Sequence, residues 1–506
     1  MAASSYHIAS EKSLRKPRLG IKIIVLLQMS ALPVFAQHSM TFEEVIGTAR
    51  AQSVAALQAK HAFVSTYWAY RSYLASRLPS LSLYGNLMNF DRSLTLLQSY
   101  EDGTYRYASS YNLQNSLGLS VTQNITLTGG RLSVYSDIRR IDQFGTLKNL
   151  TWYSQPITVS YYQPLFTYNQ FKWDKLIEPK EYERGRRQYI ESMEEVTITA
   201  AKAYFDLIAA TRNHEASVTN FSNTVKMRSV AGERLKLGTV TRDEYLQLEL
   251  RALNDSIAMG ENLVKVMEAQ MALNSILGYD ESVEISPVID DTLPEILMDY
   301  DMVLDKALKN STFNLDNEIE ELVAASAVAK AKADRGISMS LNARFGLSQS
   351  GAGLRDVYRD LLNQEVVGLT FSVPIFDWGL GRGKVQKAKA AEEVVKAHNI
   401  QEENDFRRKI FTAVGQFNNQ RQQCVASKRA MEIATERYSL MMDNFRNGNA
   451  TVTDLTNAQN DSDSALSKYV GDLSNYWNYY YTLRKLTLYD FLAGRDIDID
   501  VKEMVE

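Results

Sequence analysis

The chain of 506 residues has one cysteine, Cys424. A single thiol excludes a disulfide framework and a thiolate zinc cluster, both of which need cysteines in sets. Five histidines, at positions 7, 38, 61, 214 and 398, stand far apart and form no HExxH pair. The net charge is −4, so the basic surplus of a nucleic-acid binder is missing. Prolines number only nine. No apolar run reaches the ~20 residues that a membrane-spanning helix needs. No nucleophile lies beside a base in any recognisable motif, so the expectation is a protein that is not an enzyme, with no cofactor and no bound metal. What is present is a chain 45% apolar and 23% charged, rich enough in hydrophobic residues to bury a sizeable core.

The first residues read as an export signal. Lys12, Arg15, Lys16, Arg18 and Lys22 precede an apolar stretch, 23–35, and Val34-Phe35-Ala36 offers a cleavage site before Gln37. The expected mature chain carries 51 basic and 59 acidic groups. An exported chain of this kind without a spanning helix is periplasmic, secreted or a β-barrel of the outer membrane.

Proline placement divides the rest of the chain. Residues 180–286 and 375–506 contain none and are rich in Ala, Leu, Glu, Lys, Gln and Arg, the strong helix formers. Each is expected to be a long helical hairpin, broken at Lys236-Leu237-Gly238-Thr239 and at Arg446-Asn447-Gly448-Asn449 by glycine caps. Four other segments alternate with period two. They are 80–87, 157–163, 337–345 and 367–373, each with one apolar face and one small, polar face. That pattern fits transmembrane β-strands, and equally a half-exposed sheet in water.

The chain also repeats itself. Gln163-Pro164-Leu165-Phe166 recurs as Val373-Pro374-Ile375-Phe376, and Gly238 recurs as Gly448, both at an offset of 210. Glu244 then falls on Asp454. The first strands match at 258, so the first repeat carries 48 extra residues. These include an alternating hairpin about Gly129-Gly130, expected to project as an extracellular insert (about 84–155) or else to add strands to the barrel. The expected layout is a signal peptide 1–36, a first repeat 37–278, a linker 279–299, a second repeat 300–490 and a tail 491–506.

Together these pieces resemble the outer-membrane efflux family typified by TolC. The resemblance rests on Leu78-Pro79-Ser80, the two strand-to-helix junctions at Pro164 and Pro374, Thr41-Phe42-Glu43-Glu44, and the paired glycine turns. It implies an α+β membrane protein: long helical hairpins forming a periplasmic α-barrel, and four strands per chain in a shared twelve-stranded transmembrane β-barrel of a trimer. It implies an exit channel in the outer membrane, with a large periplasmic portion, fed by an inner-membrane pump through a periplasmic adaptor. An adaptor would dock at the tips, at Gly238, Gly448, Leu237 and Phe445. Asp454, with Glu244 as its counterpart, would ring the closed aperture. Asn457, Ala450 and Phe445 depart from the family's pattern of Asp, Arg and Tyr at those places, so its closing links do not carry over. Two other readings remain: a duct for secreted polypeptides, and a periplasmic coiled-coil structural protein.

Overall fold

The computed structural model describes residues 38–98, 103–145, 148–288 and 292–505. The expected signal peptide lies outside them. The elements run, in chain order, β1 (His38–Met40), α1 (Phe42–Gln52), α2 (Val54–Ser76), β2 (Ser80–Gln98), β3 (Tyr105–Ile125), β4 (Gly130–Gln143), β5 (Asn149–Leu165), α3 (Gln170–Lys236) and α4 (Arg242–Leu277). They continue with β6 (Ile285–Pro287), α5 (Tyr300–Asn310), α6 (Phe313–Arg335), β7 (Ser338–Gly351), β8 (Leu362–Ser372), α7 (Leu380–Asn447) and α8 (Val452–Thr487).

The two repeats are visible as α2–sheet–α3–α4 and α6–sheet–α7–α8. Helices α3 and α7, of 67 and 68 residues, each run about 100 Å at 1.5 Å per residue. Shorter partners, of 36 and of 23 residues, share each long helix. Near the tips α4 lies on α3 and α8 on α7, while near the sheet α2 lies on α3 and α6 on α7. Helix α3 starts ten residues earlier than the proline-free stretch and carries Pro179 inside it. The packing of α2 and α6 against it outweighs the lost amide donor, a local cost of about 3 kcal/mol.

The hydrophobic core sits midway along the bundle, where α1, α3, α4, α5, α7 and α8 meet. Tyr204, Leu207, Ile208, Leu273, Leu277 and Leu473 fill one side. Ile410, Phe417, Cys424, Tyr476 and Tyr480 fill the other. Each such side chain contributes about 1.5–3 kcal/mol by leaving water. The short parallel pair β1–β6 closes this level, and the Tyr204 hydroxyl donates to the Val288 carbonyl at 2.6 Å. The aromatic run at Tyr476 to Tyr481 belongs to this packing: the Tyr476 hydroxyl donates to the Pro294 carbonyl at 2.9 Å. Cys424 is buried, and its thiol donates to the Asp472 carbonyl at 3.2 Å. No helix among the described residues is long and apolar enough to cross a membrane.

One antiparallel sheet of six strands, in the order β2-β3-β4-β5-β7-β8, stands at the far end. The four strands per chain that the resemblance implies are therefore corrected to six, and of the two readings of the extra residues the added strands, not the projecting insert, agree with the sheet. The insert forms β3 and β4, inside the sheet, because its own alternation supplies an apolar face that needs the same environment as its neighbours.

Candidate channel wall and hairpin tips

The sheet has two unlike faces. Leu81, Val121, Val134, Val159, Phe345 and Glu365 stand side by side across all six strands on one face. One residue along, Ser82, Ser120, Tyr135, Thr158, Gly346 and Gln364 form the matching row of the other face. Apolar side chains such as Leu81, Leu83, Leu119, Leu369 and Phe371 are exposed on the first face. In water such a face would be a liability; against lipid it is what a barrel exterior requires.

Aromatic residues stand at both ends of the apolar band. Away from the helices, Phe90 meets Tyr111 edge-on at 5.6 Å, Arg92 lies over Tyr111, and Arg140 lies over Trp152. At the helix end, Phe166, Phe376 and Trp378 are exposed, the last two in edge contact at 4.5 Å. Two aromatic belts around an apolar band match the two interfaces of a bilayer.

The strand-to-helix junctions hold the sheet to the bundle. Pro164 is still within β5, beside Ser340, and the left-handed turn falls on Phe166, at φ 62°. Pro374 lies two residues past β8, and Trp378 and Gly379 take the left-handed positions before α7, at φ 55° and 87°. The Asp377 carboxylate accepts from the Gly379 and Gly381 amides at 2.9 and 2.7 Å. The glycine-rich run 379–384 therefore cradles its own carboxylate, which occupies the place a phosphate would need. Those amide hydrogen bonds, Gly381 first, hold the Asp377 carboxyl below its ordinary range.

At the opposite end both hairpins turn in the same way. The Gly238 and Gly448 amides donate to the Leu235 and Phe445 carbonyls at 3.1 Å, with φ at 72° and 85°. Only a residue without a β-carbon takes this conformation freely. Each following helix opens on a capping box: Thr241 with Glu244, and Thr451 with Asp454. The two acids named for the aperture are thus paired in the structure as cap partners. Asp454 is exposed, and the Thr451 hydroxyl, followed by the Thr451 amide, holds its carboxyl below the ordinary range.

Leu237 is exposed at the first tip. Phe445 is not: it is buried with Met227, Ala231, Leu248, Met442 and Leu455. Its assignment as a docking contact is corrected, because its helical phase turns it inward, as the spacing of Tyr438, Met442 and Phe445 already signals. A residue that sequence reasoning missed does the joining. Arg234, near the end of α3, donates to the Phe445 and Arg446 carbonyls at 3.3 and 2.7 Å, bonding the first tip to the second. Further up, Asn220 donates to Asp463 at 3.0 Å and Thr224 to Asp255 at 2.6 Å, while Asp461 pairs with Arg437. Burial raises the Asp463 carboxyl. The acids at 461 and 463 each link α8 to another long helix.

At every level the chain is a row with two unlike edges. The long helices lie in the order α4-α3-α8-α7 near the tips, and β2 and β8 bound the sheet. The outer face of α4 exposes Leu246, Leu250, Leu253, Ile257, Val264, Met267 and Met271, at spacings of three, four and seven. That is a heptad seam without a partner inside the chain. Helix α7 exposes Phe411, Val425, Ile433 and Leu440 at the opposite edge.

Residues 303–487 match the outer membrane efflux protein family. No curated protein matches the chain by sequence. Among solved structures, the Campylobacter jejuni outer-membrane channel CmeC is 14% identical and matches at a TM-score of 0.66, over 98% of each chain. A membrane protein from Pseudomonas aeruginosa is 15% identical, at a TM-score of 0.63 over 88% of this chain and 90% of that one. The outer-membrane protein VceC of Vibrio cholerae is 14% identical, at 0.60 over 90% and 97%. The chain therefore shares its overall fold with these membrane proteins.

Proposed function

We propose that this chain, whose fold is that of the TolC-like outer-membrane efflux channels, is the exit channel of a tripartite efflux system. Three copies close head to tail into one wall. The β-layer spans the outer membrane, and the helical layer forms a tunnel into the periplasm. The observation that carries the reading is the coincidence of edges. The sheet ends in unpaired β2 and β8, and the helices end in apolar faces on α4 and α7, on the same two sides. A bilayer tolerates no open sheet edge, and an exposed heptad seam must be covered. Joining one edge to the opposite edge of the next copy is a heterologous contact, which generates a ring when the rotation closes.

Conduction is passive, and the energy comes from an inner-membrane pump acting through a periplasmic adaptor. The adaptor docks at the tips, where Gly238 and Gly448 let a helical hairpin approach closely and Leu237 offers an apolar contact. Asp454 from each copy lines the narrowed end and favours cations there, with Glu244 as its counterpart on the first hairpin. The purified protein in planar bilayers should give discrete, cation-preferring single-channel steps, and a deletion strain should become sensitive to toxic compounds. A protein that stays soluble and monomeric without detergent would refute the reading.

A further inference from the structure

We infer that the inserted hairpin β3–β4 widens the exit barrel, so that β2 of one copy pairs with β8 of the next in a barrel of eighteen strands. The inference rests on the proposed ring of three copies and goes beyond it in fixing the wall that the ring builds.

Four observations point the same way. First, the insert is built as wall. Leu117, Leu119 and Val121 on β3, with Leu132, Val134 and Ile138 on β4, continue the apolar face of β2 and β5. Second, its turn is fastened at the helix end, not left free at the far end. The Gln123 and Asn124 side chains donate to the Arg77 and Ser76 carbonyls at 2.8 and 3.3 Å. Asn169, just before α3, donates to the Thr126 carbonyl at 3.2 Å, and Thr128 and Gln163 exchange two hydrogen bonds at 2.7 and 2.9 Å. The hairpin is thereby tied to both the entering and the leaving helix.

Third, the insert adds two strands. The count per chain stays even, so β2 and β8 run in opposite directions and identical copies can join antiparallel all the way round. A single extra strand would have forced a parallel seam. Fourth, the widths agree. Six strands at ~4.8 Å spacing and ~40° tilt occupy about 38 Å of circumference. Four helices at 8–10 Å occupy about 32–40 Å. Six strands therefore continue the four-helix wall at the same radius, whereas four would occupy about 25 Å on the same spacing and tilt. Diameter scales with strand number, giving about 36 Å between opposite backbones against about 24 Å for twelve strands.

The test is direct imaging of the detergent-solubilised or nanodisc-embedded assembly down its axis, together with its mass. Three copies around a barrel about one and a half times as wide as a twelve-stranded one are expected. Three copies around a twelve-stranded barrel, with β3–β4 lying outside it, would overturn the inference and leave the exit-channel reading standing. Two copies sharing twelve strands would overturn the inference and the ring of three together. As a functional arm, polyethylene glycols of graded size are added only on the far side of the membrane from the tips. The largest polymer able to lower the conductance should be about 1.5-fold larger in radius for the full chain than for a variant lacking residues 105–143. Equal cut-offs would count against the widened mouth. If that variant fails to fold, the image of the full chain decides alone.

Discussion

Arg484 of α8 donates to Glu194 of α3 at 3.0 Å across the middle of the bundle, and Arg50 of α1 donates to the same carboxylate oxygen at 3.0 Å. Glu194 is fully buried, so one carboxylate holds three helices that are far apart in sequence. Removing this buried acid leaves Arg50 without its carboxylate and Arg484 with Asp490 alone, which costs up to about 3–5 kcal/mol. Glu194→Ala should therefore lower the thermal midpoint of the solubilised protein sharply. A change equivalent to less than about 1 kcal/mol would contradict this.

The hairpin tips should be sensitive to a single methyl group. Gly238→Ala and Gly448→Ala each place a β-carbon in the left-handed region, at a cost of about 1–2 kcal/mol. At Gly448 the new carbon would also stand 3.5 Å from the Arg234 guanidinium that links the tips. Hydrogen exchange should speed up in the last turns of α3 and α7 and stay unchanged in the sheet. Equal protection in variant and parent would show that the turns carry no such strain.

Asp454 makes a statement about pH. Its carboxyl is held below the ordinary range by the Thr451 hydroxyl and amide, so the folded state binds the proton less readily than the unfolded chain. The capping stability is full above the unfolded value of 3.8 and is lost as pH falls through the lower folded value. Cation preference due to this ring should thus be flat from about pH 5 to 8, since an acid near or below 3.8 stays ionised there. Asp454→Asn keeps a cap acceptor and removes the charge. It should reduce the preference in reversal-potential measurements while leaving the helix start intact. An unchanged reversal potential would take Asp454 out of the aperture.

The lone thiol behaves in the opposite sense. Burial, with the Asp472 carboxylate adding to it, pushes the Cys424 thiol up to about 11. Its proton is held more tightly in the folded state than in the unfolded one, whose value is 9.0. Its contribution is therefore complete below pH 9 and disappears as pH rises toward 11. Thiol reagents at about pH 8 should react slowly with the native protein and quickly after denaturation. Rapid native labelling would mean that this part of the core opens.

Much of the architecture was legible because period and punctuation agree. The glycine turns at Gly238 and Gly448, followed by Thr241-x-x-Glu244 and Thr451-x-x-Asp454, fix both hairpins by local chemistry alone. Strands β2, β5, β7 and β8 announce themselves by alternation. The alternation about Gly129-Gly130 was equally visible, but an apolar face does not say which neighbour it joins. That choice depends on pairings such as Val134 with Val159, made across the turn between strands. The burial of Phe445 was readable from Tyr438 and Met442, although the adjacent glycine turn suggests exposure. Arg234 escaped notice because an arginine near a helix end is common, and its acceptors, the Phe445 and Arg446 carbonyls, belong to the other repeat.

The central claim is that unlike edges of neighbouring copies join. With Cys424 protected by its burial, cysteines can be placed singly along β2 and along β8, then combined and oxidised in the outer membrane. The account predicts pairs that cross-link between copies into a ladder ending at three chains on a denaturing gel. A ladder ending at two, or cross-links confined to single chains, would contradict it.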